Sequence, residues 1–440
     1  MNHNTQHLTS SADHPVSILR AALDSNLKHV SLLRYKPLTA EEAETGDYDL
    51  IVDPRHEINF IECIFKEAKR HACLIDVCYS KNSKTKITLR KLEASVDIDV
   101  WSKVEVKKSS YGALLYVRTQ ELLKHINVNS QSNSSLDTNI GSLLYITHLF
   151  HKNKDISSPE VIARLQRYKT DLEKLKTKQA QLILGIVDQA LSGSISEDQN
   201  NKAIKYLQDA NVTPEKDWLH SAKSYIHKKR RKFLFKRRTT VIAGPDGSGK
   251  TALIFALKEN FGNAFLIYKF KDLYRRNFVT KFFVRSKMKR LEIKKNIAEE
   301  RLSGLVSITA LIHFFFVFAL RSRKKHLLLD RFFVDFNFFG LRSNMPLAYS
   351  SLSRVATFFA PKPSRIILTN CPEHIREQRK PGELRKESAL EIYREYLRYS
   401  HAKKIDLVGL PTYSASNTEQ DLDVLMRHDP HLLNKHIQNR

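Results

Sequence analysis

The sequence predicts an α/β protein: a C-terminal parallel sheet covered by helices on both faces, joined through a helical segment to a smaller N-terminal α+β unit. Three observations predict it. Apolar runs at Thr239–Ala243, Ala264–Tyr268, His326–Leu329, Arg365–Thr369 and Lys404–Val408 are separated by helical stretches, the order of parallel strands joined by crossover helices. Gly244-Pro245-Asp246-Gly247-Ser248-Gly249-Lys250-Thr251 lies between the first of these runs and the helical Thr251–Asn260, and fits G-x-x-x-x-G-K-[ST] at every position. Residues 14–128 mix short alternating runs with amphipathic ones, the pattern of a separate small domain. The length of 440 residues leaves room for two or three domains at about 100–200 residues each.

Taken in order, residues 1–13 are polar, lack the apolar core of a signal peptide and read as a disordered tail. In 14–128, Val16–Lys28 and Glu57–Arg70 read as helices. His29–Arg34, Asp47–Val52, Cys73–Tyr79, Lys86–Lys91, Ala94–Trp101 and Ala113–Val117 read as strands. Period-two alternation puts Asp47 and Asp49 on one face of the second strand, and Asp97 and Asp99 on one face of another. Carboxylates converging from two neighbouring strands can hold divalent ions for phosphoryl or nucleotidyl transfer. Acids alternating with apolar residues also describe the solvated face of a half-buried strand.

Gly46-Asp47-Tyr48-Asp49-Leu50, with the later apolar–Asp–apolar element, resembles the nucleotidyltransferase fold of the polymerase-β superfamily. The resemblance implies metal-binding acids at Asp47, Asp49 and Asp99, with Asp97 the alternative third acid. The chain departs from that family ahead of the acids. The small glycine pair that holds nucleotide phosphates is replaced by Ser31-Leu32-Leu33-Arg34-Tyr35-Lys36-Pro37.

Residues 129–139 read as a polar linker and 140–226 as a helical segment. Ser158-Pro159-Glu160 starts a long helical pattern reaching Leu191, and Thr213-Pro214-Glu215 repeats the signal. Residues 227–238 are a basic linker, and 239–440 form the phosphate-loop domain, closing with a helix over Thr418–Met426.

The glycines of the loop keep side chains off its amides, so Gly244, Asp246, Gly247, Ser248, Gly249, Lys250 and Thr251 form a nucleotide-phosphate cradle at a helix N-terminus. Lys250 reaches the β- and γ-phosphates and the Thr251 hydroxyl ligates Mg²⁺. GPDGSGKT, together with Leu327–Leu329 followed by Asp330-Arg331-Phe332, resembles the thymidylate kinase-like branch of the P-loop nucleoside monophosphate kinases. The resemblance implies ATP and Mg²⁺ as cofactors, Asp330 as a support for the metal and Arg331 as a grip on an acceptor phosphate. It also places Arg379 with Lys380, and Arg376, in a lid that supplies cations to the transferring group. Asp335 resembles a second acid of polysaccharide-associated relatives. Where thymidylate kinases carry Arg-Glu-Pro-Gly-Gly, this chain has Lys269-Phe270-Lys271-Asp272-Leu273-Tyr274-Arg275-Arg276. The implied acceptor is accordingly a different nucleotide-like, phosphorylated or sugar-linked molecule, in the manner of relatives from bacterial surface polysaccharide assembly.

Charge adds partner classes. The chain has 73 Lys+Arg against 47 Asp+Glu, a net +26, concentrated at 223–238, 269–295 and 321–325. Such clusters draw polyanions: nucleic acid, anionic lipid or phosphorylated metabolites. A nucleic-acid-stimulated NTPase and a nucleotide-binding factor at a membrane surface are therefore alternatives to a small-molecule kinase. Leu305–Leu320 is apolar but shorter than the about 20 residues a spanning helix needs, and it lies between two strands of one sheet; a buried helix is expected there. Phe278, Val279, Phe282 and Phe283, interleaved with cations, suit peripheral contact with anionic lipid. Cys63, Cys73, Cys78 and Cys371 show no zinc-like spacing and read as reduced core thiols, which points to the cytoplasm, with the inner membrane face as the peripheral site.

Overall fold

The computed structural model describes residues 14–26, 28–33, 38–39, 47–79, 84–91, 94–109, 114–128, 134–216, 239–261, 265–275, 277–292, 294–295, 298–299, 302–321, 326–338, 351–382 and 386–412. The tail 1–13, the basic linker 227–238 and the closing helix expected at Thr418–Met426 lie outside them. Two compact units emerge: Met1–Glu67 with Ser80–Lys229, and Ala68–Tyr79 with Arg230–Arg440.

In chain order the first part runs α1 (Val16–Asp24), β1 (Val30–Leu32), β2 (Tyr48–Val52), α2 (Glu57–Arg70), β3 (Leu74–Tyr79), β4 (Lys84–Lys91), β5 (Ala94–Trp101), β6 (Lys103–Lys107), β7 (Leu114–Arg118), β8 (Ile126–Val128) and β9 (Ser134–Leu136). Helix α2 forms because Phe60, Ile61, Ile64 and Ala68 recur at helical spacing and are fully buried. Glu57 in its first turn and Lys69 and Arg70 in its last complement its dipole. The sheet of the first unit is mixed, in the order β4-β5-β2-β1-β9-β8. At its centre β2 and β5 run parallel, with Asp49 opposite Asp99. Strands β6 and β7 form a separate antiparallel pair.

Helices α3 (Thr138–Lys152), α4 (Pro159–Leu175), α5 (Lys178–Leu191) and α6 (Glu197–Asp209) complete this unit. The segment read as a linker, 129–139, instead carries β9 and the start of α3. The Asp137 side chain caps α3 by accepting from Asn139 N at 2.9 Å. Ser158 caps α4 with Pro159 behind it, as its sequence demands. The pattern expected to run unbroken to Leu191 stops at Lys176, whose φ of 50° is left-handed, and restarts with Thr177 capping α5. Ser196 and Gln199 close a capping box on α6. Thr213-Pro214-Glu215 opens no helix at Glu215: that residue pairs with Tyr116 as an antiparallel bridge.

The second unit holds β10 (Thr239–Ala243), α7 (Lys250–Phe261), β11 (Phe265–Lys269), α8 (Phe270–Arg275), α9 (Phe278–Leu291), α10 (Ser303–Arg321) and β12 (His326–Asp330). A 3₁₀ segment (Phe333–Phe338), α11 (Ser351–Phe359), β13 (Arg365–Asn370), α12 (Glu373–Arg379), α13 (Lys386–Lys403) and β14 (Asp406–Pro411) follow. Strands β11-β12-β10-β13-β14 lie in that order and are all parallel. Strand β10 is therefore central, and chain order reverses beside it. That is the switch point where open parallel sheets bind ligands, at the strands' carboxyl ends. Every residue of β10 is buried, which explains its unbroken apolar and β-branched run.

One strand of this sheet comes from far away in sequence. β3 pairs antiparallel with β14, Val77 opposite Leu407, and Tyr79 N donates to Asp406 Oδ1 at 3.1 Å. The sequence places β3 among the N-terminal strands; the structure gives it to the phosphate-loop unit. The cysteines are free thiols, Cys73 and Cys371 buried, and burial pushes the Cys78 thiol up to about 12. Helix α10 spans the apolar run, and His313 is satisfied by Leu273 O at 2.6 Å. No helix among the described residues is long and apolar enough to cross a membrane.

Candidate functional site

The site grows out of the carboxyl end of β10. Gly244 has φ 137°, and a Cβ there would stand 2.5 Å from Thr369 Oγ1; only glycine turns the chain at this point. Gly249 has φ 90° and faces Thr412 and Arg379, and a Cβ on it would stand 3.1 Å from Thr412 Cβ. Two threonines pin the loop. Thr369, on β13, donates to Ala243 O at 3.0 Å and shares a 2.6 Å bond with Ser248 Oγ. Thr412, just past β14, donates to Ser248 O at 2.5 Å. The loop leads directly into the N-terminus of α7, so its amides and the helix dipole face the same concavity.

Lys250, 7 % exposed, spans this concavity. Its Nζ donates to Gly244 O at 2.9 Å and Pro245 O at 2.6 Å, and lies 3.7 Å from Asp246 Oδ1. Burial, with the nearby Arg331 charge, lowers its ammonium to about 8. Thr251, one residue into α7, is exposed. Asp330 closes β12 beside Ile242 of β10, which sets its carboxylate next to the loop.

Arg331 follows at φ 80°, a left-handed backbone that side chains rarely adopt. Its amide donates to Ile242 O at 2.8 Å. Its guanidinium pairs with Asp246 and lies 3.5 Å from Asp335 Oδ2. Although burial works against its charge, Asp335 and Asp246 hold its proton more tightly than usual. Asp335 is buried and accepts from Tyr396 OH at 3.2 Å. Packed rings of Phe270, Phe333 and Phe336 support this 3₁₀ segment. Arg379 Nη1 lies 3.4 Å from Gly247 O and 3.3 Å from Thr412 O, against the loop. Lys250, Arg331 and Arg379 are thus all brought to the glycine loop, together with Asp246 and Asp330.

Arg376 differs from the expectation raised by its sequence. It is fully buried and its Nε donates to Glu373 at 3.1 Å, while its carbonyl backs onto Gly247. It braces the loop from behind instead of offering a lid cation. The local sequence carried no sign of this, nor of the Thr369 and Thr412 pins or the Asp335–Tyr396 contact, all of which depend on distant segments meeting.

In the N-terminal unit Asp49 and Asp99 stand in register, but other groups engage them. Trp101 Nε1 donates to Asp49 Oδ1 at 3.1 Å, and Lys84 pairs with Asp99. Lys86 takes Asp97 at 3.0 Å, and Asp47 is exposed. Burial raises the Asp99 carboxyl against the pull of Lys84, with Asp49 and Asp47 adding to the rise. Among the described residues, one trio of potential metal ligands has its donor atoms within 4.8 Å of one another, and it is His29, Asp53 and His56. The two imidazoles stack at 3.5 Å and 5°, so their in-plane lone pairs run parallel and do not converge. Asp53 is taken by Arg55 at 2.8 Å and Gln120 at 3.1 Å, and Arg55 holds its carboxyl far below the usual range. That trio is a brace ahead of α2.

No protein-family model matches the chain, and no curated protein matches it. Among solved structures, the chain is similar to the thymidylate kinase of Candida albicans, with 14% identity over 46% of this chain and 93% of that one, at a TM-score of 0.31. It is similar to the thymidylate kinase of Ehrlichia chaffeensis at 14% identity, over 43% of this chain and 98% of that one, with a TM-score of 0.29.

Proposed function

We propose that the phosphate-loop unit is an ATP- and Mg²⁺-dependent phosphotransferase that moves a phosphoryl group onto a small phosphorylated or sugar-linked acceptor. The observation that carries this reading is the meeting of Lys250, Arg331 and Arg379 on one glycine loop at a helix N-terminus. Phosphoryl transfer leaves a protein mainly two tasks, positioning and stabilising charge on the equatorial oxygens. The loop amides and α7 bind the phosphates. Lys250 sets its charge on their oxygens, and Arg379 meets charge developing during transfer. The exposed Thr251 hydroxyl and the Asp330 carboxylate would hold Mg²⁺, which when bound neutralises phosphate charge. Arg331, fixed between Asp246 and Asp335, presents its guanidinium to an acceptor phosphate.

The segment after β11 bears on the acceptor. Arg275 is held by the buried Glu299 through bonds of 3.0 and 2.8 Å, which braces α8. The replacement of Arg-Glu-Pro-Gly-Gly in this segment supports an acceptor other than thymidine monophosphate. For the N-terminal unit we infer a nucleotidyltransferase-like fold in which Lys84 stands where a metal would sit, leaving it without catalysis. Metal-dependent nucleotidyl transfer by a Lys250→Ala protein would overturn that.

The test is ATP consumption with Mg²⁺ against nucleoside monophosphates, phosphosugars and nucleic acids. Turnover stimulated by one small acceptor supports the kinase. Stimulation by DNA or RNA alone would assign a nucleic-acid-dependent NTPase, and ATP binding with no turnover under any acceptor would sink both.

A pH dependence follows from Lys250. Below a pH of about 8 its ammonium is charged and ATP affinity is expected to be level. Above that value affinity falls, approaching tenfold per pH unit. The fold moves the other way. A lysine whose pKa is lowered on folding binds fewer protons than in the unfolded chain between about 8 and 10.5, so its contribution to stability rises across that window. Calorimetric titration of ATP alongside thermal melts separates the two. Affinity that stays level to a pH of about 9.5 would remove Lys250 from the phosphate site.

A further inference from the structure

Helices α9 and α11 are assembled in reverse of the usual amphipathic plan. Helix α9 buries Thr280 and Val284, and Thr280 Oγ1 meets Thr309 Oγ1 of α10 at 2.7 Å. Its large apolar residues point the other way: Phe278 is 81% exposed, Phe282 60%, Phe283 45% and Val279 44%. Helix α11, which packs on α10, repeats the plan. Ser353, Ala356 and Thr357 are buried, whereas Phe358 and Phe359 are 66% and 60% exposed. On α10 itself Ile312 and Phe315 are exposed. On α9 and α11 the inward positions are held mostly by small residues and the large apolar ones face outward, whereas α10 also buries Val306, Leu311 and Phe314. Exposed apolar residues scattered singly need no explanation, but Phe278, Val279, Phe282 and Phe283, neighbours at helical spacing on one side of α9, mark an interaction surface.

We propose that this face docks on the surface of an anionic lipid bilayer. The charge on α9 selects the occupant. Between Asn277 and Leu291 the sequence has no acid, and Lys281, Arg285, Lys287, Lys289 and Arg290 alternate with or follow the phenylalanines. On a helical wheel Phe278, Phe282 and Lys289 share one stripe, so an apolar outer face passes into a basic one within a few turns. Phenylalanine rings exposed on α9 and the cations interleaved with them match a surface that offers an apolar boundary and anionic phosphates side by side. Because no helix among the described residues can cross a bilayer, the face lies on the membrane and does not span it. A second copy of this chain fits less well, since two-fold pairing of the same face would bring the α9 cations onto each other. A single nucleic acid strand would use the rings but leave Val279 unmatched, because an aliphatic side chain offers no stacking platform.

The experiment is flotation of the full chain with mixed phosphatidylcholine–phosphatidylglycerol vesicles against phosphatidylcholine alone. Two double variants accompany it, Phe278→Ser with Phe282→Ser, and Lys281→Glu with Arg285→Glu, their folding checked by circular dichroism and ATP binding. The expected result is flotation with the anionic vesicles that weakens with salt. Partitioning should drop about tenfold or more for each phenylalanine removed and about fivefold for each cation lost. Absence of flotation with anionic vesicles overturns the proposal, as does flotation that neither variant changes. A dimer that the phenylalanine variant converts to monomer, without vesicle binding by the parent, assigns the face to a second copy. Oligonucleotide binding lost in both variants, again without flotation, assigns it to a nucleic acid; either result replaces the lipid reading.

Discussion

Lys250→Ala is expected to lower acceptor-stimulated turnover by about a thousandfold, the scale of losing one preorganised donor from a transferring group's charge. The loss should fall mainly on kcat, because the loop amides and the α7 N-terminus still bind phosphate while the charge that strengthens as the phosphoryl group moves is gone. The fold should survive. Thr369 and Thr412 pin the loop independently of Lys250, and the two bonds to Gly244 and Pro245 carbonyls, worth about 1.5–3 kcal/mol each from a charged donor, are offset by the cost of burying the ammonium that makes them. Lys250→Arg should not rescue, since the fork of a guanidinium cannot sit where a compact ammonium contacts two carbonyls. Acceptor-stimulated ADP release and a thermal melt on the same preparations decide the matter. Turnover within about tenfold of the parent, with the fold intact, would remove the phosphotransferase reading.

What the sequence made legible, and what it hid, divides along a physical line. The phosphate loop could be read because its backbone demands particular residues: Gly244 at φ 137° and Gly249 at φ 90° admit no substitute, so the demand is written in the chain. Helix α2 and strand β5 could be bounded to the residue because burial imposes a period and charge marks the ends. Asp330-Arg331 could be placed because a strand's end fixes where the next two side chains emerge. Local pattern says nothing about which strand lies beside which, and so β3 read as a neighbour of the N-terminal strands. Nothing in the local sequence records its pairing with β14. Arg376 read as an exposed cation for the same reason. Its neighbours at helical spacing are polar, and its burial depends on the phosphate loop packing over it from another part of the chain. The segment 129–139 read as linker because serines and asparagines dominate it, yet Ser135 pairs with Leu32 and so builds a strand of only three residues. The pairs Lys84–Asp99 and Trp101–Asp49 were equally silent, because a strand pattern shows which face a carboxylate takes and not what occupies that face.

Arg331 offers the sharpest separation of strain from chemistry, because backbone and side chain make opposite demands there. At φ 80° a side-chain-bearing residue is strained by about 1–2 kcal/mol, while its guanidinium ties Asp246 to Asp335. Arg331→Ala keeps the strain and loses the tie; Arg331→Gly loses both. Both variants should therefore be less active by about a thousandfold, the lower end of what a guanidinium contributes at a transferring phosphoryl group. The glycine variant should nonetheless melt as the more stable of the two, by about 1 kcal/mol. Thermal melts and acceptor-stimulated turnover on the parent and both variants give every quantity needed. If alanine and glycine were equally stable, the positive φ would carry no strain. If either retained turnover within about tenfold of the parent, Arg331 would be a structural tie between two loops and the acceptor would be held elsewhere.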